Sequence, residues 1–326
     1  VKPIPFSTHF NKPWFAIFAP ALLGFGLAAL CVRALEFYGW SLFLGLPVLV
    51  SFLSGFCTAY QRDVPFRRVY WISVASLIAL GALILILALD GLICLLMALP
   101  LALLISLVGA SLGRVLGRAC RRGASSVVPL LAALLFPGLV AFDRGTQSPE
   151  PLREVRSSVV VDAPVETVWR AVIAFPKIQE PPTGIFRLGI AYPIEARIEG
   201  TGVGAIRYCV FSTGSFVEPI THWEAPTYLA FDVRESPEPM RELSFYEHIE
   251  APHLHGHMVS HRGQFRLVER AGGVFLEGTT WYTHTLAPQW YWGPVSDFII
   301  HQIHGRVLNH IKRTSEAARD GVRFEG

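Results

Sequence analysis

The chain has 326 residues, of which 52% are hydrophobic and only 16% charged, with a formal net charge of +3. That balance excludes a conventional water-soluble globule along the whole length. The charge is split: residues 1–150 hold 11 Lys+Arg against 5 Asp+Glu, whereas 151–326 hold 17 against 20, so the second half is net negative and nucleic-acid binding is excluded.

A bilayer core about 30 Å thick takes roughly 20 apolar residues of helix, because lipid offers no partner for backbone N–H and C=O groups. Segments 14–32, 40–60, 69–89, 91–112 and 125–142 suit that requirement, so residues 1–145 are expected to form an α-helical transmembrane bundle of about five helices, with the lipid bilayer as partner. Trp14, Trp40, Tyr60, Tyr70 and Trp71 sit at the expected ends, where amphipathic rings favour the headgroup layer. Lys2, Lys12, Arg62, Arg67, Arg68, Arg114, Arg118, Arg121 and Arg122 gather on one side, which the positive-inside tendency makes cytoplasmic. Five crossings then place the second half outside the cytoplasm, in a periplasm where the host has one. Pro129 and Pro137 weaken the last span, and if it does not cross, the second half is cytoplasmic. No span carries a buried ionisable residue of the kind that marks an ion pathway, which favours an anchor or interaction platform over a transporter. Gly109 and Gly113 have the spacing of a close helix contact.

Residues 146–156 read as a polar, Pro- and Gly-containing linker. The domain expected over 157–318 opens with a strand at Ser157–Val161. Asp162 then supplies a helix cap ahead of Pro164 and an amphipathic helix with Val165, Val168, Trp169 and Val172 on one stripe. Alternating runs follow at Ala191–Glu199, Gly204–Phe211, Phe216–Trp223, Tyr228–Val233, Gly263–Glu269 and Val274–Tyr282. Leu229, Phe231 and Val233 share a parity, as in a half-buried antiparallel sheet. Gly293–Ala318 reads as a long helix with Val295, Ile299, Ile303, Val307 and Ile311 toward the sheet, and 319–326 as a tail. The fold class expected is thus a transmembrane bundle followed by an α+β helix-grip domain, a curved antiparallel sheet around a long C-terminal helix.

The stretches VVVDAPVETVWRAV, EGTGVGAIRY, EPITHWEAPTYLAFDV and GTTWYTHTLAPQWYW, with the terminal helix IIHQIHGRVLNHIKRTSE, resemble the START-like superfamily, also called SRPBCC. The resemblance covers residues 154–317, about half the chain. It implies a hydrophobic small molecule held between sheet and helix, with lipids, sterols, isoprenoids and polyketides as the usual classes. Fold alone does not give a reaction. A cyclase or dehydratase acting on a lipophilic substrate, and an interaction or sensing module with a filled cavity, are the alternatives. The run Ser236–Ser260 is longer than a hairpin needs and reads as a lid or an extra helix.

For the ligand, Arg207, Tyr208 and Glu218 are the notable polar side chains of neighbouring strands, with His222 beside them, and register decides which face they share. An inward Arg207 requires an anion, from the ligand or from Glu218. Trp169, Phe186, Phe231, Tyr246, Trp281, Trp290 and Trp292, with His248 in the long loop, are the residues expected around an apolar ligand, although a packed core uses the same types.

His253, His255 and His257 offer imidazoles for a metal, yet HLHGH lacks the helical HExxH spacing, and a solvated loop that titrates near neutral pH explains the same residues. Asp297, His301 and His304 are spaced as an oriented imidazole would be, but capping and surface pairing explain that spacing too. No catalytic residue is therefore assigned. Cys209 reads as a core residue. The glycines of Glu199–Gly204 precede no helix, so no nucleotide loop and no cofactor is expected. Ligand identity and oligomeric state are left open by the sequence.

Overall fold

The computed structural model describes residues 14–123, 127–146, 150–246 and 256–324. They divide into a helical unit, drawn from Val1–Pro149 with Glu242–His253 and Leu286–Gln289, and an α+β unit, drawn from Glu150–Arg241, Leu254–Thr285 and Trp290–Gly326.

In the helical unit, four helices are long and apolar enough to cross a bilayer: Phe15–Ala34, Ser41–Gln61, Phe66–Ile86 and Leu92–Arg121, with mean hydropathy from 2.0 to 2.7. Their regular α-helical parts are α1 (Phe15–Ala29), α2 (Leu46–Gln61), α3 (Phe66–Ile86) and α4 (Leu92–Arg121). One π-helical turn, Leu30–Ala34, extends α1, and another, Ser41–Gly45, leads into α2. The third helix starts earlier than expected, directly after Pro65, which holds the N-cap position and whose carbonyl accepts from the Val69 N–H at 3.3 Å. The fourth runs past Leu112 to Arg121, and there Arg118 and Arg121 reach Asp63. α5 spans Val128–Gly145, and residues 124–126 at the start of the fifth expected span lie outside the described ones. Asp143 is buried at its end and accepts hydrogen bonds from the Ser41 backbone N at 2.8 Å and hydroxyl at 3.0 Å, serving the orphan donors of that helix start.

α2 and α4 touch backbone to backbone. A methyl on Gly109 would lie 2.4 Å from the Val48 carbonyl, on Gly113 2.2 Å from that of Phe52, and on Gly117 2.6 Å from that of Phe56. The small residues repeat every four positions, so the Gly109/Gly113 pair is the start of a three-glycine seam used inside the chain. Gly113→Ala should therefore cost about 1–3 kcal/mol by overpacking. Gly26→Ala, which meets nothing within 4 Å, should cost far less. Thermal unfolding of both variants in detergent tests this, and equal losses would refute the seam.

In the α+β unit, β1 (Arg153–Val161), α6 (Val165–Ile173), β2 (Pro193–Glu199), β3 (Ile206–Phe211), β4 (Gly214–Glu224), β5 (Tyr228–Asp232), β6 (Met258–Arg270), β7 (Gly273–His284) and α7 (Gln289–Phe324) follow in order. The strands form one antiparallel sheet, β1-β7-β6-β5-β4-β3-β2. Its concave face holds α7, so this half is a helix-grip fold. Val161, Val168, Leu229, Leu276 and Ile311 make its fully buried centre. The expected every-fourth stripe on α7 drifts because a helix turns in 3.6 residues: Ile300 and Leu308 enter the core, and Ile299 and Ile303 are left half-buried. Asp162 is not the expected helix cap. Pro164 occupies the cap position with no side-chain bond, and the Asp162 carboxylate pairs instead with Arg319.

The long loop is neither a separate helix nor a simple lid over its described part. Residues Ser236–Met240 border the sheet's cavity, whereas Glu242–Tyr246 fold as part of the helical unit. There Glu242 receives the Ile93 and Cys94 backbone N–H groups at 3.0 and 3.3 Å, Leu243 O receives that of Leu92 at 3.0 Å, and the Tyr246 hydroxyl donates to Ile86 O at 2.6 Å. Glu242 is thus the cap and the counter-charge of the α4 N-terminus.

Candidate ligand cavity

Curling the sheet around a straight helix leaves space where side chains do not meet, and here it is a cavity of about 160 Å³ inside the α+β unit. Phe211, Phe216, Phe231 and Phe265 from the strands and Ile299, Ile300 and Ile303 from α7 are part of its apolar wall. One wall is ionic. Arg207 and Glu218 are directly opposite on β3 and β4, which puts both on the concave face, and they form an ion pair with 1% and 6% of their surface exposed. Arg207 Nε also donates to Ile173 O at 3.2 Å, and its guanidinium lies 5.6 and 5.5 Å from the ring centres of Phe231 and Phe265. Burial pushes the Glu218 carboxyl above the usual carboxylate range while the Arg207 charge pulls it back. Arg207 is therefore both inward and paired: the chain itself supplies the anion. Cys209 stands beside the pair, and burial followed by the Glu218 charge pushes its thiol up to about 12, so it is no nucleophile at neutral pH.

Of the ligand residues expected from the sequence, Arg207, Glu218 and Phe231 border this cavity. Tyr208 and Trp281 have the opposite parity and face outward. Tyr208 points at Glu199, while the Trp281 ring lies under Arg262 at 4.5 Å and donates to Glu154 at 3.0 Å. Trp169 packs edge-on against Trp223 at 5.5 Å in the core, and Phe186 lies 5.9 Å from Tyr192. Trp292 is buried in the first turn of α7, Trp290 is exposed, and Tyr246 belongs to the helical unit. His248, His253 and His255 lie outside the described residues. His257 and His261 bond different threonines, Thr285 and Thr283, on β7 and its end. Among the described residues, the only set with three metal-type ligand atoms within 4.8 Å of one another is Asp90, Cys94 and Glu242 in the helical unit, where Glu242 already serves as the helix cap.

A second polar cluster was not assembled from the sequence because it needs β1, β7 and α7 in register. Thr280 and His304 both border the cavity, and Thr280 Oγ1 lies 2.8 Å from His304 Nε2. His304 Nδ1 is 3.1 Å from Ser157 Oγ, which is 2.7 Å from Nδ1 of the exposed His301. Ser157 faces Gly278 across the β1/β7 ladder, so no opposing side chain crowds its hydroxyl. Burial, and then the nearby His301, lower His304 to about 4, so its ring is neutral at physiological pH.

Asp297, the expected partner of His301, is taken by others. It pairs with Arg153 and accepts from the fully buried Tyr282 hydroxyl at 2.7 Å. Burial raises its carboxyl, but the Arg153 and Tyr282 hydrogen bonds outweigh that and hold it below the usual range. Its stabilising effect is thus complete above the unfolded carboxylate pKa and lost as pH falls through the lower folded value. Asp297→Ala should cost about 1–3 kcal/mol at neutral pH by orphaning the Tyr282 hydroxyl. The variant should also lose less stability than the wild type on acidification. Urea unfolding across that pH range checks both, and parallel wild-type and variant profiles would contradict the assignment.

No family model and no curated relative matches the sequence. Solved structures align with half of it. The Aha1 dimer from Colwellia psychrerythraea is 12% identical over 50% of this chain and 96% of that one, with a TM-score of 0.29. Norcoclaurine synthase from Thalictrum flavum, solved with dopamine and hydroxybenzaldehyde, is 11% identical over 50% of this chain and 86% of that one, with a TM-score of 0.32.

Proposed function

We propose that this chain is a membrane-anchored binding protein that holds a hydrophobic ligand, or the apolar part of one, in its helix-grip cavity. The observation that carries the reading is the cavity itself, with four phenylalanines and three isoleucines around it and its buried Arg207 and Glu218 neutralising each other within the chain. The mainly apolar wall suits an apolar guest, and a cavity of about 150 Å³ is large enough to accept benzene. At about 160 Å³ the guest is a single ring or a short stretch of lipid or isoprenoid chain, and a whole sterol nucleus calls for a wider opening. Because Arg207 is satisfied by Glu218, the ligand needs no anionic group to stabilise it. Four apolar helices in the same chain keep the domain at a bilayer, which raises the effective concentration of a lipid-soluble guest.

The test is native mass spectrometry of the full chain released from mild detergent, followed by solvent extraction and identification of what was bound. A stoichiometric apolar molecule supports the reading and names its class. A chain that carries none and takes up none from mixed lipid extract refutes it, and favours a membrane interaction module whose cavity is only structural.

A further inference from the structure

The cavity is joined to the surface by a continuous row of proton donors and acceptors. Thr280 and His304 border it, Ser157 bridges, and His301 stands in solvent, with contacts of 2.8, 3.1 and 2.7 Å along the row. Each contact is within hydrogen-bond range, and every group can both give and take a proton. We infer that these four residues form a proton relay between the cavity and bulk water, equipping the site for acid–base exchange with a small, mainly apolar ligand that bears a phenolic O–H or a carbonyl-activated C–H. The inference rests on the ligand-cavity reading for its substrate.

The transfer balances with no other reagent. In the outward direction the ligand proton passes to Thr280 Oγ1 as the Thr280 proton moves to His304 Nε2. The His304 Nδ1 proton moves to Ser157 Oγ, and the Ser157 proton to His301 Nδ1. His301 then releases its Nε2 proton to water. The ligand loses one proton, water gains one, no covalent bond to the protein forms, and nothing is oxidised. Thr280 and His304 are the groups that would touch the ligand, and Ser157 and His301 act through them. The neutral His304 ring suits this role, since it can hold its proton on either nitrogen.

The geometry also couples the two imidazoles in a way a merely packed cluster would not. When His301 is protonated, its Nδ1–H must donate to Ser157 Oγ. The Ser157 hydroxyl must then donate to His304 Nδ1, which forces His304 into the Nε2–H tautomer and frees the Thr280 proton for the cavity. Asp297, one turn earlier on α7, interacts electrostatically with His301 and is itself held by Arg153 of β1 and Tyr282 of β7; His304 is one turn later.

The experiment is nitrogen NMR of the full chain in detergent with ¹⁵N-labelled histidine, and it requires no ligand. On mild acidification the His304 ring nitrogens should shift to the Nε2–H pattern without His304 itself becoming charged. Ser157→Ala should abolish that shift, and Ser157→Thr, which keeps a hydroxyl, should restore it. A His304 tautomer indifferent to His301 in the wild type, or a coupling that survives Ser157→Ala, overturns the relay and leaves the ligand-binding reading standing. An empty chain in the mass-spectrometric test removes the substrate and leaves the tautomer coupling as a separate fact.

Discussion

Replacing Arg207 with Ala should destabilise the α+β unit by about 3–5 kcal/mol, because the buried Glu218 carboxylate then loses its paired counter-charge. Glu218 is 6% exposed and opposite Arg207 in the β3/β4 ladder, so its carboxylate is held away from bulk solvent with the guanidinium as its partner. The variant also loses the Arg207 bond to Ile173 O and the stacking beneath Phe231 and Phe265. By contrast, Arg207→Met with Glu218→Leu removes both charges and keeps most of the volume, and such exchanges are often neutral or stabilising. The double variant should therefore be much closer to the wild type than Arg207→Ala is. A double-mutant cycle followed by chemical unfolding reads this, and additive losses would show that the pair is not coupled. If the pair is worth so little net, its place at the cavity wall fits a role in orienting a ligand's polar end rather than in holding the fold together.

What the sequence reveals about this molecule follows from how local the information is. Five apolar runs announce five helices because hydropathy is summed along the chain, and the missed extension of α4 to Arg121 reflects its mixed last turns, where Gly113 and Gly117 pack on α2 while the arginines leave the apolar stripe. The strand order of the α+β unit is legible through alternation, as at Leu229 and Phe231. Register is not local. Tyr208 and Trp281 look as good as Arg207 and Phe231 for a ligand, yet one step of parity sends them to the outer face. The same limit hid the Ser157–His304–His301 row: the two histidines are one turn apart on α7, but Ser157 lies 144 and 147 residues from them, and a serine in a strand has no signal of its own. The pairing of Asp297 with Arg153 and Tyr282, rather than with His301, is likewise set by which strand lies under the first turns of α7. Glu242 gives a further case, since no pattern in the long loop marks one glutamate as the cap of a helix that begins at Leu92.

The largest functional effect should come from filling the cavity. Ile303 is half-buried on α7 beside Cys209, Phe211 and Phe216, and it borders the open volume. Ile303→Trp would place an indole where the ligand's ring or chain is proposed to lie. If the space is empty or holds an exchangeable guest, the added ring removes cavity, and at about 24 cal/mol per Å³ the gain has an upper bound of about 4 kcal/mol for 160 Å³. The unliganded variant should then melt at or above the wild-type temperature. It should also lose the ligand response: a guest present at about 100 times its Kd stabilises the wild type by about 2.7 kcal/mol, and the variant should show none of that. If the volume is instead occupied by breathing side chains and has no guest, the indole overpacks a finished core and costs about 1–3 kcal/mol, with no ligand response to lose. Thermal melts of both chains, with and without the molecule extracted from the wild type, separate a receptor for a small apolar guest from a domain whose hollow is only structural.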